Sequence, residues 1–151
     1  MRVLSFSPLS RFATLAPLVL RLVLGVIMAA HGWQKLVGDG PAAFGRNMLA
    51  GLDLPVPVLL GFVVTFVELV GGVALILGVL TRLSALLLTI NLIVAIVLVK
   101  VDVGLIAGQG GGAGAELDLA IVAGLVSILL LGPGPISLDH VMDTEDNSRR
   151  L

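Results

Sequence analysis

Glu68 is a carboxyl in the middle of an apolar run, and at helical spacing it shares a face with Gly61, Thr65 and Gly72, with Gly71 alongside. A charge at the centre of a membrane-spanning helix costs on the order of 3 kcal/mol or more, so such a group must face a protein interior and find a partner. Two chemistries are open to it. It can take up and release protons or hold a ligand, or it can be a buried, hydrogen-bonded carboxyl that fixes helix register. A second set stands earlier in the chain, where Arg21, Gly25, Met28, Gly32 and Lys35 recur at alternating spacings of four and three and form one helical stripe. His31 lies beside that stripe, one turn before Lys35, and both offer N–H donors. Further along, Glu116 and Asp118 open another apolar run, where they act either as site carboxylates or as acids favoured by a helix N-terminus. Asn91 lies within a third run and is suited to a hydrogen bond between helices.

Taken together, His31, Lys35, Glu68, Glu116 and Asp118 come from three segments, and their charges compensate one another. With Asn91 they make a candidate pocket for ligand binding or proton relay. Arg21 and Arg82, with Asp139 reached through the turn Gly132-Pro133-Gly134-Pro135 and Ser137, form a second cluster that reads as a structural latch. Trp33 reads as an interfacial anchor, and Lys100 and Asp102 as solvated boundary residues.

The elements that must position these groups are set by composition. Of 151 residues, 58% are hydrophobic and 13% charged, and mean hydropathy is +1.14. A soluble domain usually has about a quarter of its residues charged, so this chain lacks the polar surface to coat a globule in water. Its solvent is the lipid bilayer. Nine Lys+Arg against ten Asp+Glu leave no basic stripe, which argues against a nucleic-acid partner. The absence of cysteine excludes thiolate metal sites and iron–sulfur ligation on this chain, and two histidines placed on opposite sides of the bilayer do not suit paired haem ligation. No metal or haem is therefore expected here, and redox work would need a diffusible organic carrier.

A spanning helix needs about 20 mostly apolar residues, and four stretches answer to that: 15–37, 56–80, 83–99 and 115–131. The expectation is one all-α domain over 1–151, an antiparallel four-transmembrane-helix bundle. Its first connector, 38–55, reads as a polar loop. Thr81-Arg82 marks a tight hairpin, and the third connector, 104–114, is rich in glycine. Arg21 interrupts the first apolar run, which therefore reads as an uncleaved anchor. Arg2, Arg11, Arg82, Arg149 and Arg150 against Lys35, Arg46 and Lys100 favour both termini in the cytoplasm. That orientation puts the pocket in the outer half of the bundle, with 140–151 as a solvated cytoplasmic tail.

The order of these motifs resembles a known family. Arg21 with Gly25, the run His31-Gly32-Trp33-Gln34-Lys35, Phe44, Glu68 with Gly71-Gly72, Gly78, Thr81-Arg82, Glu116, Gly132-Pro133-Gly134 and Ser137-Leu138-Asp139 are similar to the DoxX family of small four-helix bacterial membrane proteins. The resemblance runs from about Arg21 to Asp139. It implies a bacterial inner-membrane location and association with respiratory or oxidative-stress redox systems. Some relatives are subunits of a thiosulfate:quinone oxidoreductase, and mycobacterial members are linked to a membrane complex with a superoxide dismutase and a thiosulfate sulfurtransferase.

Three functions follow as alternatives. In the first, the chain is a subunit of a redox complex that binds a quinone, ubiquinone or menaquinone, with His31 and Lys35 donating to its carbonyls and Glu68 or Glu116 relaying protons. In the second, it is an anchoring or assembly scaffold that recruits soluble redox enzymes and does no chemistry. In the third, it is a small transporter, with any pore formed between copies in a homo-oligomer.

Overall fold

The computed structural model describes residues 12–101, 103–106 and 114–149, of which 144–149 are described by backbone alone. Arg2, Arg11, Asp102, Arg150 and most of the glycine-rich connector lie outside the described residues. The described elements are all helical. They are α1 (Ala16–Val37), α2 (Pro41–Phe44), α3 (Pro57–Leu77), α4 (Thr81–Ala95), α5 (Glu116–Leu131) and α6 (Leu138–Arg149), with π-helical turns at Gly45–Leu49 and Ile96–Lys100 and a 3₁₀ turn at Ala50–Leu52.

Three helices are long and apolar enough to cross a membrane: 26 residues over Phe12–Val37, 21 over Pro57–Leu77 and 20 over Thr81–Lys100. The helix at the expected fourth span, α5, has 16 residues, about 24 Å at a rise of about 1.5 Å per residue and shorter than a typical hydrocarbon core of about 30 Å. It packs on α4 and α1 and gives Ile121, Leu125 and Ile128 to the core, where they meet Leu24, Met28, Leu75 and Leu88. Large apolar side chains such as Val26, Phe66, Val70, Ile90 and Leu130 face outward, the arrangement that lipid favours and water penalises.

The packing of α1 on α3 is the most extensive between any two helices, and small residues make it close. A Cβ placed at Gly25 would lie 2.7 Å from the Gly72 carbonyl oxygen, and one at Gly32 or Gly72 would collide with the backbone of Leu69 or Ala29. Lipid tails are as apolar as leucine, so backbone-to-backbone packing of this kind is what holds helices together in a membrane. On α1, Arg21, Gly25, Met28 and Gly32 are all buried, and on α3 so are Gly61, Thr65, Glu68 and Gly72.

Local chemistry sets the element ends. Prolines stand at the first turns of α1, α2 and α3, where a missing N–H costs nothing. Gly78, with φ +71, ends α3, and its N–H donates to the Ala74 and Leu75 carbonyls. The second apolar stretch therefore stops as a helix at Leu77, and the hairpin to α4 begins there. One other expectation changes. The first connector is a chain of short helical turns packed on α3, with Gly45 and Gly61 allowing it to touch the α3 backbone. The tail is helical from Leu138 to Arg149, and His140, Val141, Met142 and Asp143 are exposed.

Candidate functional site

A cavity of about 310 Å³ opens between α1, α3, α4, the start of α5 and the helical first connector. Its apolar walls come from Met28, Leu60, Val64, Leu92 and Ile121 together with Met48, Leu49 and Leu52 of the connector. Polar side chains face it from several elements. Lys35 of α1 forms an ion pair with Glu68 of α3, and the other oxygen of that carboxylate, Oε1, accepts a hydrogen bond of 3.2 Å from Asn91 Nδ2 of α4. The Lys35 ammonium also stands 5.4 Å from the centre of the Phe44 ring, where the negative face of the ring favours a cation.

A second ion pair, Lys100 with Asp118, lines the same space. The π turn Ile96–Lys100 at the end of α4 brings Lys100 to this position, and its ammonium donates to the Gly114 carbonyl at 3.2 Å. Lys100 is thus part of the cavity wall and not a solvated boundary residue, which corrects the reading from sequence. Such π turns recur at functional sites because the wider turn re-aims the side chains that follow it.

The sequence-predicted residues divide as follows. Lys35, Glu68 and Asn91 meet in one hydrogen-bonded cluster, and Asp118 joins the cavity from α5. His31 lines the cavity from an exposed position on α1, its Nδ1 lying 3.0 Å from the Ile27 carbonyl oxygen of its own helix. Glu116 does not join them. It is exposed, on the side of α5 that Ala120 and Ala123 share and that points away from the core, because Ile121, Leu125 and Ile128 occupy the inner side. Its backbone N–H donates to the Leu105 carbonyl at 3.0 Å, in keeping with its place in the first turn of a helix. Sequence reasoning missed Lys100 and the apolar connector residues Met48, Leu49 and Leu52. The only signal for the latter was an apolar residue at every third or fourth position inside a segment rich in turn formers.

The DoxX family model matches residues 16–101. The chain belongs to the DoxX family. It is 31% identical over 128 residues to an uncharacterized membrane protein of Mycobacterium tuberculosis, covering 80% of this chain and 77% of that one. It is 30% identical over 123 residues to a Bacillus subtilis protein that carries the name "Putative oxidoreductase CatD", covering 81% of this chain and 83% of that one. No solved structure gives a significant match. In this DoxX protein the matched region runs from α1 to the end of the π turn, so it contains His31, Lys35, Glu68, Asn91 and Lys100, whereas Asp118 lies beyond it.

At the opposite end of the α1–α3 interface, this DoxX protein has a different polar cluster. The Arg21 guanidinium, 1% exposed, donates to four carbonyls: Leu75 at 2.9 Å, Ile76 at 3.2 Å, Pro133 at 2.5 Å and Ile136 at 2.9 Å. It thereby ties α1 to the last turn of α3 and to the turn before α6. The Asp139 carboxylate accepts from the backbone N–H groups of Leu80 and Thr81, both at 2.8 Å, and so caps the start of α4. Burial pushes the Asp139 carboxyl up, but hydrogen bonds from Thr81 and Leu80 and the charge of Arg21 together hold it below the ordinary aspartate value. Arg82, expected to pair with Asp139, is instead exposed and lies beside Gly132. The latch is therefore built from carbonyls and amides around Arg21 and Asp139, without Arg82.

Proposed function

We propose that this membrane protein binds a quinone, ubiquinone or menaquinone, in the cavity beside Lys35, Glu68 and Asn91, as the membrane subunit of a bacterial redox complex. The observation that carries the reading is a largely apolar space of about 310 Å³ with the convergent donors and acceptors of Lys35, Glu68 and Asn91 on its wall and the Lys100–Asp118 pair besides, the composition expected of a site for a ligand with an apolar body and polar tips. The donor set suits such a ligand. Lys35 and Asn91 carry N–H groups that can turn to carbonyl oxygens, the His31 ring stands at the edge, and Glu68 can hold a proton close by. Met28, Leu60, Val64 and Leu92 provide the apolar contact for ring and tail. A bound quinone would supply two-electron, two-proton carrier chemistry, and soluble redox enzymes docked at the membrane would exchange the electrons. The name of the Bacillus subtilis relative points the same way. The distribution of basic residues supports a bacterial inner-membrane orientation with both termini in the cytoplasm and the cavity in the outer half.

The test is direct. Protein purified in detergent is titrated with a short-tailed quinone and its extracted lipids are examined for bound quinone. Wild type binds, and Glu68→Gln and Asn91→Ala each weaken binding by about tenfold, about 1.4 kcal/mol. Equal affinity in wild type and both variants removes the site from consideration.

One observation favours the scaffold reading instead: each cation in the cavity already faces a carboxylate, so the cluster is satisfied without a ligand. Under that reading Glu68→Gln lowers thermal stability, no quinone co-purifies, and recruitment of soluble partners is unaffected once folding is restored.

A further inference from the structure

Lys35 borders two spaces. On one side is the apolar cavity. On the other is a vestibule of about 360 Å³ lined by Gln34, Asp39, Ala43 and Asn47 together with Gly38 and Gly40. Lys35, Phe44 and Met48 line both spaces and form the wall between them. The two spaces differ in kind. The vestibule lies where α1 has ended, at the polar start of the first connector, and Gly38, Asp39 and Asn47 are exposed there. The cavity reaches inward to the buried Glu68 and Met28. A polar hollow at the end of a spanning helix fills with water, whereas an apolar one among helices is open to hydrocarbon.

We infer that the vestibule is an aqueous access path to the cavity's polar patch, and that Lys35 is the group through which Glu68 exchanges protons with water on that side of the membrane. The inference deepens the ligand-binding reading by giving that site its proton route. The step balances without electrons. A hydronium ion in the vestibule gives a proton to Lys35 as Lys35 passes one of its own to Glu68 Oε2, leaving water, an ammonium and a neutral carboxyl, and the reverse sequence releases the proton. Phe44, held over the Lys35 ammonium, and Met48 beside it separate the water from the apolar space. The charged groups that face the pair from the surrounding elements are Asp39 in the connector, His31 on α1, Lys100 after α4 and Asp118 on α5.

The natural chain has no cysteine, so a single introduced thiol reports on access. The reporters are Lys35→Cys combined with Glu68→Gln, which removes both charges together, and Met48→Cys, which keeps the ion pair. Each is reconstituted in liposomes and treated from one side at a time with a charged, membrane-impermeant methanethiosulfonate. Both thiols react from the same single side, and adding Ala43→Trp to fill the vestibule slows both by about tenfold, while Ala43→Trp alone changes quinone affinity by less than about twofold. Three results overturn the path: reaction only with a lipid-soluble maleimide, no reaction with either reagent at Met48→Cys, or rates indifferent to Ala43→Trp. Because the labelling needs no ligand, loss of the path and loss of the quinone reading are separate outcomes.

Discussion

Arg21 and Lys35 stand on the same stripe of α1, and each meets a group on α3, yet they are satisfied in opposite ways. Arg21 is buried and donates to four main-chain carbonyls. Carbonyls cannot titrate, and all four belong to the last turn of α3 or to the turn before α6, whose positions they fix. Lys35 instead has one carboxylate, one aromatic face and two cavities. Its partner is a side-chain carboxylate and not a main-chain group, and open space adjoins it. The first cluster joins main-chain groups of separate elements, whereas the second joins side chains beside open space. Between the two lies the row of glycines that joins α1 to α3, so the rigid end supports the adaptable one.

The largest effect is expected at the rigid end. Arg21→Ala removes a buried donor set and leaves carbonyls of α3 and of the turn before α6 unpaired, at a cost of about 3–5 kcal/mol. Thermal unfolding in detergent, followed by loss of monodispersity, should show a sharp fall or no recoverable protein. Arg21→Lys should recover only part of it, because a lysine ammonium has three donors and no planar fork. A normal melt for Arg21→Ala would mean that the two ends do not differ as described.

Next comes the joint between them. Gly32→Val or Gly72→Val puts a branched side chain against the facing backbone, and overpacking at such a site costs about 1–3 kcal/mol or more. Both should melt earlier and also lose ligand affinity, because the α1–α3 spacing sets where Lys35 meets Glu68.

The adaptable end should separate stability from binding. Replacing a buried ion pair by apolar residues of similar volume is often neutral or stabilising by about 1–4 kcal/mol. Lys35→Met with Glu68→Leu should therefore melt at or above the wild-type temperature and lose quinone affinity, measured by titration. A large loss of stability in the double variant would make this pair a structural element like Arg21 and erase the contrast.

Helical periodicity made much of this plain in the sequence, and its limits explain the rest. The stripes Arg21-Gly25-Met28-Gly32 and Gly61-Thr65-Glu68-Gly72 are readable because only one face of a helix can hold both small residues and charges in lipid. Glu116 was misread for a related reason. On α5 the inner face is made of Ile121, Leu125 and Ile128, so Ala120 and Ala123 lie outside, and in a membrane the size of an apolar side chain does not tell inside from outside. The connector after α1 is hard to read because its helical turns are short, so its apolar period runs only from Phe44 to Leu52 among turn-forming residues. Lys100 and Arg82 depended on where a π turn and a tight hairpin point a long side chain, which spacing alone does not encode.

The smallest effect returns to the rigid end. Asp139→Asn keeps one acceptor toward the Leu80 and Thr81 N–H groups and loses the charge beside Arg21, at about 1 kcal/mol, the usual cost of a weakened N-cap. Its signature is a pH profile. A carboxyl held below its unfolded value binds fewer protons folded than unfolded, so its contribution is full above the unfolded aspartate value of about 3.9 and is lost as pH falls through the lower folded value. Between about pH 5 and 7 the gap in melting temperature between wild type and Asp139→Asn should be constant, and it should close as pH drops below about 4. Glu68→Gln carries its cost elsewhere, at the cavity, so the gap between it and wild type should not follow Asp139. If the Asp139→Asn gap instead widened with acid, the carboxyl would have to be held above its ordinary value by burial, and the cap on α4 would not be the charged one described.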